Sequence, residues 1–315
     1  MNRKAIIFGI KRYKLTSKEK LLFRKTKPWG IILFSRNVNN ILQLKNLVKE
    51  IKKIFKDEKF PILIDEEGGT VSRLNKIIDL SFFSQNFFGK LYNQDKNLFY
   101  KVYKIYVNKV SDILNKVGIN INTVPVLDVL NNNNNNFIRS RSYSKNTKVV
   151  TKLGVTCINF YNINKIATVI KHIPGHGMTN VDSHYKTPST QINQRNLLIK
   201  NFAPFKNSQS LFAMTAHVIY EKYDPKYTAT HSKIIVDKII RKHINFKGIL
   251  ISDDISMKSL KYPLLENATR ALKAGCNIVL HCNGNIKEMI ELSKVIPKID
   301  KFTKKKTSHF YKFLG

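Results

Sequence analysis

Cysteine is scarce. The three in 315 residues, Cys157, Cys276 and Cys282, cannot build a complete disulfide framework and include no Cys-x-x-Cys pair. That excludes a disulfide-stapled secreted scaffold and the common zinc or thiol-redox motifs, and it fits a reducing compartment. Acidic residues are few as well, 21 Asp plus Glu against 55 Lys plus Arg, for a formal net charge of +34. Long apolar runs are missing: Lys11, Arg12 and Lys14 interrupt the first one before it reaches signal-peptide length or the roughly 20 residues of a membrane span. No later segment reaches that length without charges, so the expectation is a soluble, cytoplasmic protein without membrane insertion. Neither GxGxxG after the first strand nor GxxxxGK[ST] occurs, which removes the usual support for a nucleotide cofactor.

What is present is core material. Hydrophobic residues make up 43% of the chain and aromatics 10%, ample for a large apolar core and inconsistent with a disordered basic tail protein. The positive charge is spread along the chain, with denser stretches at 11–27, 45–59 and 301–312, and no zinc-finger, RNP-like or helix-turn-helix spacing accompanies it. Diffuse lysine is solvated surface more often than a polyanion groove, so no nucleic-acid partner is expected. An unbroken asparagine run, Asn131 to Asn136, belongs to the same polar drift.

Short β-rich runs alternate with helix-length amphipathic segments. The runs are Ala5–Phe8, Gly30–Phe34, Pro61–Ile64, Ile119–Val124, Ala167–Ile170, Leu211–Met214, Gly248–Ile251 and Asn277–Leu280. Eight β-α units predict an α/β fold of the (β/α)8 TIM-like barrel type in a single domain, 1–300, followed by a basic C-terminal tail, 301–315, expected to fray. Polar residues follow nearly every strand: Ser35, Arg36 and Asn37; Asp65 and Glu66; Asp128; Lys171 and His172; His217; Asp253 and Asp254; His281, Cys282 and Asn283. A barrel gathers all of these around one mouth.

Three segments carry chemistry. In 169–188, Lys171, His172, His176, Asp182 and His184 share one strand exit and its loop. Asp-x-His lets the carboxylate orient the ring and leaves the other nitrogen for proton transfer, an acid/base dyad. In 248–257, an apolar strand delivers Asp253 and Asp254, of which one suits a nucleophile or metal ligand and the other a helix cap or an inward hydrogen bond. In 61–74, Asp65 leaves the strand, Gly68 and Gly69 allow a tight turn, and Arg73 reaches back, either to substrate or into a salt bridge with Asp65. The same residues leave a barrel metallohydrolase open, with His172, His176, His184, His217, Asp253 and His281 as candidate zinc ligands. A basic polyanion-binding homologue without catalysis is the third reading.

GIILFSRN, ILIDEEGGTVSRL, PVLDV, VIKHIPGHGMTNVDSHYKTP, AMTAHVIY, GILISDDISM and AGCNIVLHCNG occur in this order. In them the chain resembles the bacterial β-N-acetylglucosaminidases (β-hexosaminidases) of glycoside hydrolase family 3 that serve peptidoglycan recycling. The resemblance implies a TIM-like barrel and retaining exo-hydrolysis of terminal, non-reducing β-linked N-acetylglucosamine. It also implies N-acetylglucosamine-containing muropeptides as ligands, with no metal and no cofactor; a monomer is expected. It makes Asp253 the nucleophile and His184 the acid/base with Asp182 as partner. Asp65, Arg73, Arg141, Lys171 and His172 become sugar contacts, and His176 becomes loop support. Two departures stand out: Glu66 occupies the place of a Gln in the family's DQEGG, and Arg139, Ser140 and Ser144 replace Gly, Asp and Gly around Arg141. The first adds a negative charge beside Asp65. The second is expected to require an allowed backbone angle at Arg139 and to remove a carboxylate partner from Arg141.

Overall fold

The computed structural model describes residues 2–131, 136–176, 179 and 186–315. Its strands are β1 (Lys4–Gly9), β2 (Pro28–Leu33), β3 (Ile62–Ile64), β4 (Ile121–Asn122), β5 (Ala167–Ile173), β6 (Ser189–Thr190), β7 (Phe212–Thr215), β8 (Ile219–Tyr220), β9 (Ile249–Asp254) and β10 (Ile278–His281). Eight of them close into a barrel in the order β1-β10-β9-β7-β5-β4-β3-β2, every neighbour parallel, while β6 and β8 form a small separate sheet. Each of the eight sequence-predicted runs supplies one barrel strand. Residues on both faces of β1, β2 and β5 are almost all buried, because side chains fill the barrel inside and helices cover it outside.

The covering helices follow from local signals. Helix Ser17–Thr26 starts at Thr16 with a capping box to Glu19, and helix Ile41–Phe55 buries Leu44, Leu47, Val48 and Ile51 on one stripe. Ser232 accepts the Ile235 amide at 3.1 Å, as its position ahead of an apolar stripe suggests. Parallel closure puts all strand C-termini on one rim, which is where the polar strand exits gather.

The C-terminal segment does not fray. Lys301–Leu314 is a helix capped by Asp300, with Phe310 fully buried and edge-on to Phe212 at 5.4 Å. Trp29 donates to Thr307 Oγ1 at 2.9 Å. Trp29 and Phe212 stand at the starts of their strands, so this helix covers the end of the barrel opposite the polar rim. Lysine density at 301–312 concealed that stripe, because the charges occupy only its outer face. Among the described residues, no helix is long and apolar enough to cross a membrane.

Candidate active site

The strand exits build a connected ion network. Asp65, just past β3, meets Arg73 Nη2 at 2.5 Å through Oδ2, and Lys171 Nζ and Thr123 Oγ1 at 2.5 Å each through Oδ1. Lys171 also reaches Glu67 Oε1 at 2.6 Å, and Glu67 receives both the Nε and the Nη2 of Arg141 at 2.8 Å. Burial alone would push the Asp65 carboxyl up, but Lys171 and Arg73 hold it well below the usual carboxylate range. Glu67 is likewise lowered against its burial, by Arg141 first and Lys171 second. Arg73 therefore does form the salt bridge with Asp65, and it does so on the cavity wall.

This network corrects the expectation for Arg141. Its carboxylate partner is Glu67, so the substituted loop costs it no ion pair. Arg139 ends the short helix Asn136–Arg139, where φ is negative and no glycine is required. The loop is fastened by Gln85, whose amide donates to the carbonyls of Val126 (3.0 Å) and Arg141 and accepts from Val126 N at 3.0 Å. Most of the asparagine run, 132–135, lies outside the described residues.

Glu66 points away from the cavity into its own loop. It is fully buried and accepts from the backbone N–H groups of Gly68, Arg73 and Leu74 and from the Ser72 hydroxyl. Burial pushes it up to about 7 despite those bonds. Gly68 and Gly69 turn the loop at φ of 79° and 59°, values a side chain would strain.

A second cluster sits on β5. Asp128 Oδ2 meets His172 Nδ1 at 2.7 Å, and Asp128 Oδ1 accepts the His176 backbone N–H at 2.5 Å. Asp128 is buried yet held below the usual range by His172. Among the described residues the buried His176 ring has no partner on either nitrogen, and desolvation pushes it down to about 4, so it is neutral at neutral pH.

Across the cavity, the end of β9 separates its two carboxylates. Asp254 is engaged with the Ser256 N–H and hydroxyl and with Cys282 N, a turn-forming role. Asp253 accepts only the Asp254 N–H at 2.8 Å, on Oδ1, among the described residues. Burial would raise its carboxyl, but His217 and then His172 hold it below its ordinary value. His217 is itself fixed between Thr230 Oγ1 (2.7 Å) and the Asp254 carbonyl (3.0 Å).

Asp253, Asp65, Arg73, Arg141, Lys171, His172 and His176 line one cavity of about 340 Å³, with Phe34, Val71, Met214, Met257 and Leu280 as apolar wall. That size falls at the small end of ligand pockets. Asp182 and His184 lie outside the described residues. His281 faces Glu288 at 2.8 Å rather than the cavity. Among the described residues, no three His, Cys, Asp or Glu side chains are grouped to hold a metal ion. Sequence reasoning missed Glu67 and the function of Asp128. Both were visible as carboxylates at strand exits, but only the barrel shows which cations they meet.

Comparison with known proteins points the same way. The β-hexosaminidase of Neisseria meningitidis serogroup C is 33% identical over 288 residues, covering 89% of this chain and 78% of its own. β-Hexosaminidase A of Pseudoalteromonas piscicida is 32% identical over 278 residues, 80% of this chain, which spans about half (45%) of that relative's length. The crystal structure of NagZ from Neisseria gonorrhoeae in complex with N-trifluoroacetyl-D-glucosamine superposes with a TM-score of 0.88 at 30% identity, covering 98% of this chain and 90% of that one. Residues 8–308 match the glycosyl hydrolase family 3 N-terminal domain, and with the barrel and the charged cavity at its rim this makes the chain a member of glycosyl hydrolase family 3.

Proposed function

We propose that this protein is a retaining β-N-acetylhexosaminidase that releases terminal, non-reducing β-linked N-acetylglucosamine from peptidoglycan fragments. One observation carries the proposal: Asp253, an ionised carboxylate with one oxygen unengaged among the described residues, faces a monosaccharide-sized cavity whose other wall carries Asp65, Arg73 and Lys171. Carboxylate and guanidinium groups held this way suit sugar hydroxyls and the acetamido carbonyl. The relatives named as β-hexosaminidases and the NagZ complex with a glucosamine derivative support the same substrate class.

In the first step Asp253 attacks the anomeric carbon as the glycosidic bond breaks, and the leaving oxygen takes a proton from His184, oriented by Asp182. In the second, His184 removes a proton from water, whose oxygen attacks the same carbon and frees Asp253, so the configuration is retained. Asp65, Arg73, Arg141, Lys171 and His172 hold the sugar. The His172–Asp128 bond fixes the ring that faces Asp253, and His176 supports the loop. We place the enzyme in the cytoplasm, on its three free cysteines.

Turnover of p-nitrophenyl N-acetyl-β-glucosaminide by wild type and by Asp253→Ala tests the assignment. Wild-type hydrolysis with retained configuration and loss of at least about a thousandfold in the variant is expected. Equal turnover by both proteins would refute the nucleophile.

A further inference from the structure

Four donors converge on one buried carboxylate. Glu66 Oε1 accepts from Gly68 N at 3.0 Å, and Oε2 from Ser72 Oγ at 3.2 Å, Arg73 N at 2.6 Å and Leu74 N at 2.8 Å. Among the described residues no Lys, Arg or His side chain forms an ion pair with it; the nearby cations are drawn instead to Asp65 and Glu67. The donors span the loop that leaves the barrel at Asp65 and returns with Arg73, whose guanidinium closes on Asp65. Backbone bonds from Glu67 N to Val71 O and from Val71 N to Gly68 O complete the turn. The carboxylate is the hub that fixes both ends of this loop.

We propose that the Glu66 carboxylate is a positioning residue for Arg73 and Glu67, and that proton uptake by Glu66 loosens their loop and weakens sugar binding. The proposal rests on the glycosidase function above and adds a proton-sensitive element to it.

The chemistry is a count of donors against acceptors. An ionised carboxylate offers acceptor lone pairs on both oxygens, matching four donors. A protonated carboxyl carries a hydrogen on one oxygen, and that hydrogen opposes an N–H already aimed there. On Oε1 it faces the Gly68 N–H; on Oε2 the Ser72 hydroxyl can turn to accept it, but the Arg73 and Leu74 N–H groups are then left competing for the remaining lone pair. The carboxamide found at this place in the family pattern meets the same conflict on its NH2 side but cannot titrate, so the proton dependence is particular to Glu66. Among the described residues, the groups around it supply no other switch. Tyr106 and Tyr161, on helices Lys96–Val117 and Thr147–Ile163, are phenols that burial pushes well above the usual range, hence neutral. On β4, Asn122 meets Glu66 through its backbone N–H and carbonyl and also donates to the Tyr161 hydroxyl at 3.2 Å, and Asp65, Glu67 and Arg73 are held in ion pairs. Burial puts Glu66 at about 7, so its ionised fraction changes across the neutral range.

The test compares KM and kcat of wild type, Glu66→Gln and Ser72→Ala from about pH 5.5 to about pH 8.5 on the p-nitrophenyl substrate. As pH falls through the Glu66 transition, wild-type KM should rise by about 2–10-fold, the worth of one hydrogen bond, with kcat not following. Glu66→Gln should hold the wild type's low-pH KM at every pH. Ser72→Ala leaves the carboxylate one donor poorer, so the KM transition should move to higher pH. Amide hydrogen exchange across 67–74, corrected for intrinsic pH dependence, should show protection lost at the same pH in wild type and no transition in Glu66→Gln. That measurement needs no turnover. Should Glu66→Gln fail to fold, the wild-type exchange transition and its shift in Ser72→Ala decide the matter. Matching KM profiles in wild type and Glu66→Gln, or an exchange pattern without a transition in wild type, would overturn the role of Glu66. Absence of wild-type turnover at any pH would overturn the glycosidase function instead, and exchange would still decide on Glu66.

Discussion

Glu67→Gln isolates the centre of the ion network. Glu67 is the meeting point of Arg141 and Lys171, whose side chains are 9% and 2% exposed, and its own is 1% exposed. The substitution keeps the shape, removes the charge and leaves Asp65 as the one carboxylate of the network facing Arg73, Lys171 and Arg141. Unlike a surface pair, which is worth at most about 1 kcal/mol, a buried pair broken from one side leaves uncompensated charge and costs about 3–5 kcal/mol. Urea denaturation followed by the fluorescence of Trp29, the single tryptophan and fully buried, reads that loss directly. The sign with pH follows from the lowered carboxyl of Glu67. Its contribution is present above the unfolded-state value of 4.5 and disappears as pH falls through the lower folded-state value, so the gap between variant and wild type should close in acid. A loss under about 1 kcal/mol at neutral pH, or a gap unchanged on acidification, would refute the account of Glu67 as the electrostatic keystone.

Two further substitutions probe parts of the frame that sequence reasoning underrated. Phe310→Ala should cost about 3–5 kcal/mol in the same denaturation experiment, because it empties the contact between the C-terminal helix and Phe212. Gly89→Ala puts a Cβ 1.7 Å from the Tyr143 carbonyl and must displace the loop that carries Arg141; a raised KM and a stability loss of about 1–3 kcal/mol are expected from kinetics and melting.

The strands were legible because barrel strands are apolar on both faces, which leaves short Val/Ile/Leu runs such as Ile62–Ile64 standing out between polar exits. The candidate residues were legible for a related reason: a parallel barrel admits polar groups at the strand ends, so Asp65, Lys171, His172 and Asp253 announced themselves by position. Partnership was not legible. Glu67 lies 74 residues from Arg141 and 104 from Lys171, separations that carry no local pattern. Asp254 and Asp253 are neighbours with the same chemistry, and only the turn at Ser256 and the reach to Cys282 assign Asp254 a structural function. The C-terminal helix was misjudged because its stripe of Thr303, Thr307 and Phe310 is thin and partly polar, and it becomes meaningful only against Trp29 and Phe212.

The sequence by itself determined the eight-fold β-α alternation, the rim of the barrel where the polar residues gather and the identities of those residues, because periodicity and strand-end polarity are local properties. The tertiary structure alone decided which carboxylates neutralise which cations, that Glu66 turns inward to hold its own loop, and that the basic tail is a packed helix. Those outcomes depend on distances between segments far apart in the chain, and burial converts each such distance into a charge state.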